Sequence, residues 1–264
     1  MKQERFVSTD DGTKIRYVEW SNQNAIKRAV LIHSLAMNAE FWEPTVNALG
    51  PDWSVIAVDC RGHGQSGKPA GPYSVELFAR DVASVMDDAG WHDAVIGGAS
   101  MGGCVALSFA DTHASRTSGL FLIDTTSWYG QSAIDDWEER GQKAINSGMD
   151  SMIGFQKTRW FSESFVDQNG ATVDAAISVF LMNKPDAYLE TCRMLGRFNH
   201  SKALVNISIP CKIVVGEEDY ATPVSMATVM HEAISGSTLT IIPSVRHFTP
   251  LEVPDKIAEI LRSF

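Results

Sequence analysis

Apolar residues in this chain follow three patterns. From 13 to 20 they alternate, with Ile15, Tyr17 and Glu19 on one face and Lys14, Arg16 and Val18 on the other, the two-residue period of an edge strand. The runs at 29–32, 54–58, 94–97, 119–123 and 212–216 are short and β-branched or continuous, and each ends in Gly, Asp, His or Ser. Such runs suit strands buried on both faces. A last strand-like run covers 239–242. Between the strands, 75–89 repeats Leu77, Phe78, Val82, Val85 and Met86 at helical spacing, with Ser74 placed as the cap and Glu76 in the first turn. A second helix is expected over 101–112. Strand alternating with helix predicts a mostly parallel, doubly wound sheet whose strand C-termini carry the functional loops.

The alternation stops after Asp124. Residues 127–199 hold no convincing strand, but helical spacing recurs at 135–147, 149–161, 172–182 and 187–198. The expected organisation is a core of 1–126 and 200–264 with a helical lid, 127–199, inserted between two core strands.

Composition narrows the function classes. With 264 residues, 44% of them apolar, the chain has enough material for a large core, and disorder is excluded. The 22 Lys and Arg stand against 32 Asp and Glu, a net charge of −10 without a basic block, which argues against nucleic acid as a partner. No run approaches the roughly 18 apolar residues of a membrane span. Residues 1–12 lack the apolar stretch of a signal peptide, so a cytoplasmic location and no membrane partner are expected. Cys60, Cys104, Cys192 and Cys211 are widely spaced and read as buried reduced thiols rather than a zinc or redox motif.

Gly98-Ala99-Ser100-Met101-Gly102 lies between a buried strand and a helix, the setting in which G-x-S-x-G means a nucleophile elbow. A tight turn there lifts the Ser100 hydroxyl above the sheet and leaves the Met101 N–H free to donate. A serine needs a base, and the base an orienting carboxylate. Asp219 follows the strand 212–216, and His247 follows 239–242, in the chain order Ser, Asp, His of a doubly wound hydrolase. The second oxyanion donor is expected from the loop after the strand 29–32, at the Leu35 N–H. Asp124 also ends a core strand, but a capping or loop role suits it better than that of an alternative acid. His33 and His63 are expected to orient backbone, and His92, His113, His200 and His231 to be solvated. No His, Asp or Glu cluster has metal-ligand spacing.

These residues resemble the α/β-hydrolase fold family, and within it proteins like 3-oxoadipate enol-lactonase, over nearly the whole chain. The resemblance is carried by His33-Ser34-Leu35 with Trp42, by Asp59-Cys60-Arg61-Gly62-His63-Gly64-Gln65-Ser66, by Gly71-Pro72-Tyr73-Ser74, by Arg159-Trp160-Phe161-Ser162 and by Asp219 with Ala221-Thr222-Pro223. It implies hydrolysis without metal or cofactor through a Ser100, His247, Asp219 triad, with Leu35 and Met101 as oxyanion donors. Ala36 and Arg246 depart from the pattern, each standing where glycine is common.

The expected substrate is a small carboxylic ester or lactone, with a carboxylate-bearing one of the enol-lactone kind, whose enolate leaves easily, among the candidates. Trp128, Tyr129, Trp137, Trp160, Phe161 and Phe165 offer aromatic walls, with packing inside the lid as the plainer role. Arg159, Arg193, Arg197 and Arg246 are candidates for gripping a carboxylate, against exposed ion pairing as the plainer role. The alternatives are cleavage of a C–C or amide bond by the same triad and, from another class, a slow-turnover ligand receptor on this fold.

Overall fold

A computed structural model describes residues Met1–Phe264. Its eight strands are β1 (Lys2–Ser8), β2 (Lys14–Trp20), β3 (Lys27–Ile32), β4 (Trp53–Val58), β5 (Ala94–Ala99), β6 (Thr117–Ile123), β7 (Cys211–Gly216) and β8 (Thr238–Ile242). They form one sheet in the order β1-β2-β4-β3-β5-β6-β7-β8. The pairs β1–β2 and β2–β4 are antiparallel, and every other pair is parallel. All residues of β4 and β5 are buried, as the continuous apolar runs require.

The strand order runs backwards from β3 to β4 and then forwards through β5 to β8. Right-handed crossovers therefore put α1 (Glu43–Leu49) on one face and α2 (Val75–Asp88) and α3 (Met101–Thr112) on the other. Ser74 caps α2 by accepting from the Leu77 N–H. The order reverses at neighbouring β3 and β5, and the crevice beyond their C-terminal ends is where such sheets bind ligands.

Strand 13–20 is not at the edge, because β1 lies outside it and pairs along its whole length. β1 has no apolar alternation to announce it: Lys2, Gln3 and Glu4 are exposed, and Phe6 and Val7 only half-buried. Inside the sheet Arg16 becomes buried, and it stays charged through Glu4 at 2.8 Å, Glu40 at 2.6 Å and Asp59 at 3.2 Å.

Between β6 and β7 the chain is helical: α4 (Ala133–Ser147), α5 (Ile153–Trp160) after a short 3₁₀ turn, α6 (Glu163–Gln168), α7 (Gly170–Leu181) and α8 (Pro185–Arg197). α4 packs along α8. An isolated bridge joins Trp128 to Asn199 where this insertion leaves and rejoins the core. The chain ends with α9 (Val224–Ala233), α10 (Thr249–Glu252) and α11 (Pro254–Arg262), the last packed against α1. All four cysteines are free and buried. No helix is long and apolar enough to cross a membrane.

Candidate active site

Ser100 is the single residue between β5 and α3, held at φ 54 and ψ −117. That left-handed backbone is strained for a residue with a side chain, at a cost on the order of 1–3 kcal/mol. Two glycines make the turn possible. A Cβ on Gly98 would fall on the Gly102 carbonyl, and one on Gly102 would fall on the Ile32 carbonyl of β3. The Ser100 N–H donates to the Ile123 carbonyl at 2.9 Å, fastening the elbow to β6.

Three side chains distant in sequence meet here. His247 Nε2 lies 2.9 Å from Ser100 Oγ, and its Nδ1 lies 2.7 Å from Asp219 Oδ2. The Asp219 carboxylate also accepts from the Ala221 N–H at 2.7 Å, the Thr222 N–H at 3.0 Å and the Thr222 hydroxyl at 2.9 Å. Burial pushes its carboxyl up, but the His247 ring and the Thr222 donors outweigh burial and hold it below the usual carboxylate range. An ionised Asp219 keeps the proton on Nδ1, which leaves Nε2 to accept from the Ser100 hydroxyl.

Leu35 and Ser34 line the cavity over Ser100, and the Leu35 N–H has no hydrogen-bond partner in the protein. Met101 opens α3, so its N–H belongs to the first helical turn, which has no intrahelical acceptor. The loop bearing Leu35 is held from below by His33, whose Nδ1 donates to the Ser34 carbonyl at 2.7 Å while Nε2 accepts from the Cys60 N–H at 3.0 Å. Ala36 has φ 63, in the left-handed region that favours glycine, and Asn183 of the insertion donates to its carbonyl at 2.8 Å.

The cavity over Ser100 is small and is walled by Tyr129, Trp137, Trp160 and Thr222 together with Arg140 and Arg159. Tyr129, Trp137 and both arginines also line a neighbouring cavity of about 690 Å³ between α4 and α5, which contains neither Ser100 nor His247. The arginines therefore stand at the junction of the two spaces. Arg140 Nε donates to the Tyr188 hydroxyl at 2.9 Å and its guanidinium lies 4.8 Å from the Trp137 ring centroid. Arg159 makes one long hydrogen bond, 3.5 Å to the Ala221 carbonyl. Neither has a carboxylate within ion-pair distance.

The other expected residues are distributed differently. Arg193 is paired with Glu138 and Glu190, each at 2.7 Å, and Arg197 donates to the Tyr73 carbonyl. Arg246 follows neither the triad nor the cavity: its guanidinium donates to the carbonyls of Thr158 at 2.8 Å and Phe161 at 3.1 Å and lies near Glu218 and Glu163. Trp128 is 39% exposed and lines neither space. Phe161 stacks on Phe165, serving packing within the insertion. His63 bonds the Arg61 carbonyl, whereas His200 is mostly buried rather than solvated. Asp124 is fully buried and bonds Gly216 and Thr249 rather than His247. Arg140 escaped the sequence reading, although a signal was there: it falls on the apolar stripe Ala133, Trp137, Gly141, Ala144 of α4, where a charge has no structural reason to be.

Residues 30–149 match the family model for the alpha/beta hydrolase fold. The chain has the α/β-hydrolase fold. Within that fold it is similar to 3-oxoadipate enol-lactonases. It is 26% identical over 225 residues to 3-oxoadipate enol-lactonase 2 of Acinetobacter baylyi, covering 85% of this chain and 83% of the relative. The enol-lactonase from Burkholderia xenovorans superposes with a TM-score of 0.93 at 26% identity, covering 98% of both chains. A pimeloyl-[acyl-carrier protein] methyl ester esterase of Neisseria meningitidis serogroup C is 28% identical over 254 residues, covering 92% of this chain and 95% of the relative.

Proposed function

We propose that this protein is a serine hydrolase of small carboxylic esters or lactones that works through an acyl-enzyme. The observation that carries the reading is the hydrogen-bonded chain Ser100 Oγ, His247, Asp219, at 2.9 and 2.7 Å. Ser100 Oγ attacks the carbonyl as its proton passes to His247 Nε2, and Asp219 stabilises the imidazolium. The Leu35 and Met101 N–H groups hold the oxyanion, a role worth about 10²–10³ in rate per donor. The imidazolium then protonates the departing oxygen, which in a lactone stays tethered to the acyl group. Water, deprotonated by His247, cleaves the acyl-enzyme and restores Ser100.

The insertion, residues 127–199, acts as the lid and supplies the substrate-facing walls Trp160, Tyr129 and Trp137. Arg159 and Arg140, charged and without acidic partners in a chain of net charge −10, favour a substrate that bears a carboxylate. The names of the enol-lactonase and esterase relatives agree with ester and lactone cleavage.

The direct test is Ser100→Ala assayed against a panel of lactones and esters with and without a carboxylate. Turnover should fall by at least ~10⁴-fold with the fold intact. Unchanged hydrolysis by that variant would overturn the reading.

A further inference from the structure

The segments that bear Ser100, Asp219 and His247 leave the sheet from three different strands, and a two-residue corner after β6 touches all of them. Asp124 turns the chain there with φ 46, in the left-handed region, while its N–H donates to the Val214 carbonyl of β7 at 2.9 Å. Its carboxylate is buried. Oδ1 accepts the Gly216 N–H at 3.1 Å, at the root of the loop that carries Asp219. Oδ2 accepts the Thr249 N–H at 3.1 Å and the Thr249 hydroxyl at 2.8 Å, two residues past His247. The next residue, Thr125, donates its hydroxyl to the Ser100 carbonyl at 2.7 Å.

Backbone bonds from Glu217 to Ile242 and from Glu218 to Val245 already join the acid loop to the base loop. The elbow is different: apart from the triad itself, its hydrogen bonds reach those two loops only through β6 and this corner. Gly103 in the first turn of α3 belongs to the same arrangement. A Cβ there would lie 2.5 Å from the Thr125 Cβ, so a side chain at 103 would push Thr125 off the Ser100 carbonyl.

We propose that Asp124 and Thr125 are positioning residues that hold the nucleophile elbow, the acid loop and the base loop in one register, setting the Ser100–His247–Asp219 spacing from a single corner. The proposal rests on the triad reading above. Neither residue touches the reacting atoms. Three donors converge on Asp124 and no acceptor faces it, which suits a carboxylate and not an amide. Burial first, and the charge of Asp219 second, push the Asp124 carboxyl well up, and the three donors offset that only in part. An Asn at 124 keeps the Thr249 contacts only by turning its NH₂ towards the Gly216 N–H.

The test uses the full chain with four substitutions, Asp124→Asn, Thr125→Val, Thr125→Ser and Gly103→Ala, and p-nitrophenyl acetate as a neutral probe. A loss of alignment on the order of 1 Å is worth about 10²-fold in rate, so Thr125→Val, Gly103→Ala and Asp124→Asn should lower kcat by about 10–100-fold. KM should stay within about threefold, since binding groups are untouched, and Thr125→Ser, which keeps the hydroxyl, should restore kcat to within about threefold. The far-downfield Nδ1 proton resonance of His247, read by NMR on the resting protein, should shift or broaden in the Val and Asn variants and not in Thr125→Ser. Folded Thr125→Val protein with kcat within about threefold of the parent and an unmoved His247 resonance overturns the proposal, whatever becomes of Asp124→Asn. Absence of Ser100-dependent hydrolysis in the parent would instead defeat the triad reading. The resonance comparison needs no turnover and still decides whether the corner holds His247 against Asp219.

Discussion

Arg140 and Arg159 enter the same space from α4 and α5, and each changes what the other costs. Burial first, and the charge of Arg140 second, pull the Arg159 guanidinium down to about 10, so a carboxylate held between them relieves a repulsion as well as forming hydrogen bonds. A hydrogen bond to a charged group contributes about 1.5–3 kcal/mol. Arg140→Met should therefore raise KM about 10–100-fold for a methyl ester with a terminal carboxylate and leave the KM of its uncharged analogue nearly unchanged. Equal losses on both esters would remove the anion-binding role. At this scale the sequence was legible where chemistry and context coincide, as in the convergence of Ser100, Asp219 and His247 within hydrogen-bonding distance. Arg246 misled because adjacency to His247 in the chain says nothing about direction, and its guanidinium turns to the insertion.

The elbow between β5 and α3 is the element on which the site is built, and its glycines are required by close backbone approach rather than by flexibility. Gly102→Ala would put a methyl group on the Ile32 carbonyl, forcing β3 and α3 apart. The expected cost is about 2–4 kcal/mol of stability together with most of the activity, read from denaturant midpoints and turnover in parallel. A variant with parental midpoint and rate would mean the approach is not tight. Parallel strands and the long helices could be read from periodicity because burial on both faces, or on one stripe, leaves a pattern. β1 left none, since an edge strand held by backbone pairing can be built from Lys, Gln, Glu and Arg. α6 was missed as well, being six residues long and too short for helical spacing to register.

Across the whole molecule, acid sensitivity follows from two buried imidazoles. Burial lowers His33 to about 4, and burial followed by the charge of His33 lowers His63 to about 3, from an ordinary value of 6.5. Below pH 6.5 the unfolded chain takes up protons that the folded chain refuses, so stability present above that value is lost as pH falls towards 4. Each unit of displacement corresponds to roughly 1.4 kcal/mol, giving a loss of a few kcal/mol per histidine. Relief of repulsion in a chain of net charge −10 acts in the opposite sense, but exposed charges are screened and contribute less. Urea midpoints should therefore be flat above pH 7 and fall steeply between 6.5 and 4, with the slope reduced in His63→Gln; a midpoint that rises on acidification would contradict this.

The insertion is fastened to the core at the stretch that carries His247. The Phe248 N–H donates to the Trp160 carbonyl at 2.9 Å, and Glu252 accepts from the Arg246 N–H on one oxygen and from Ser162 on the other. His247 thus sits between Arg246 and Phe248, whose N–H groups are tied, through Glu252 and directly, to the Trp160–Ser162 turn. On the mechanism proposed above, a displacement of this turn would move the cavity wall at Trp160 and the base together, coupling entry to the cavity with the readiness of Ser100.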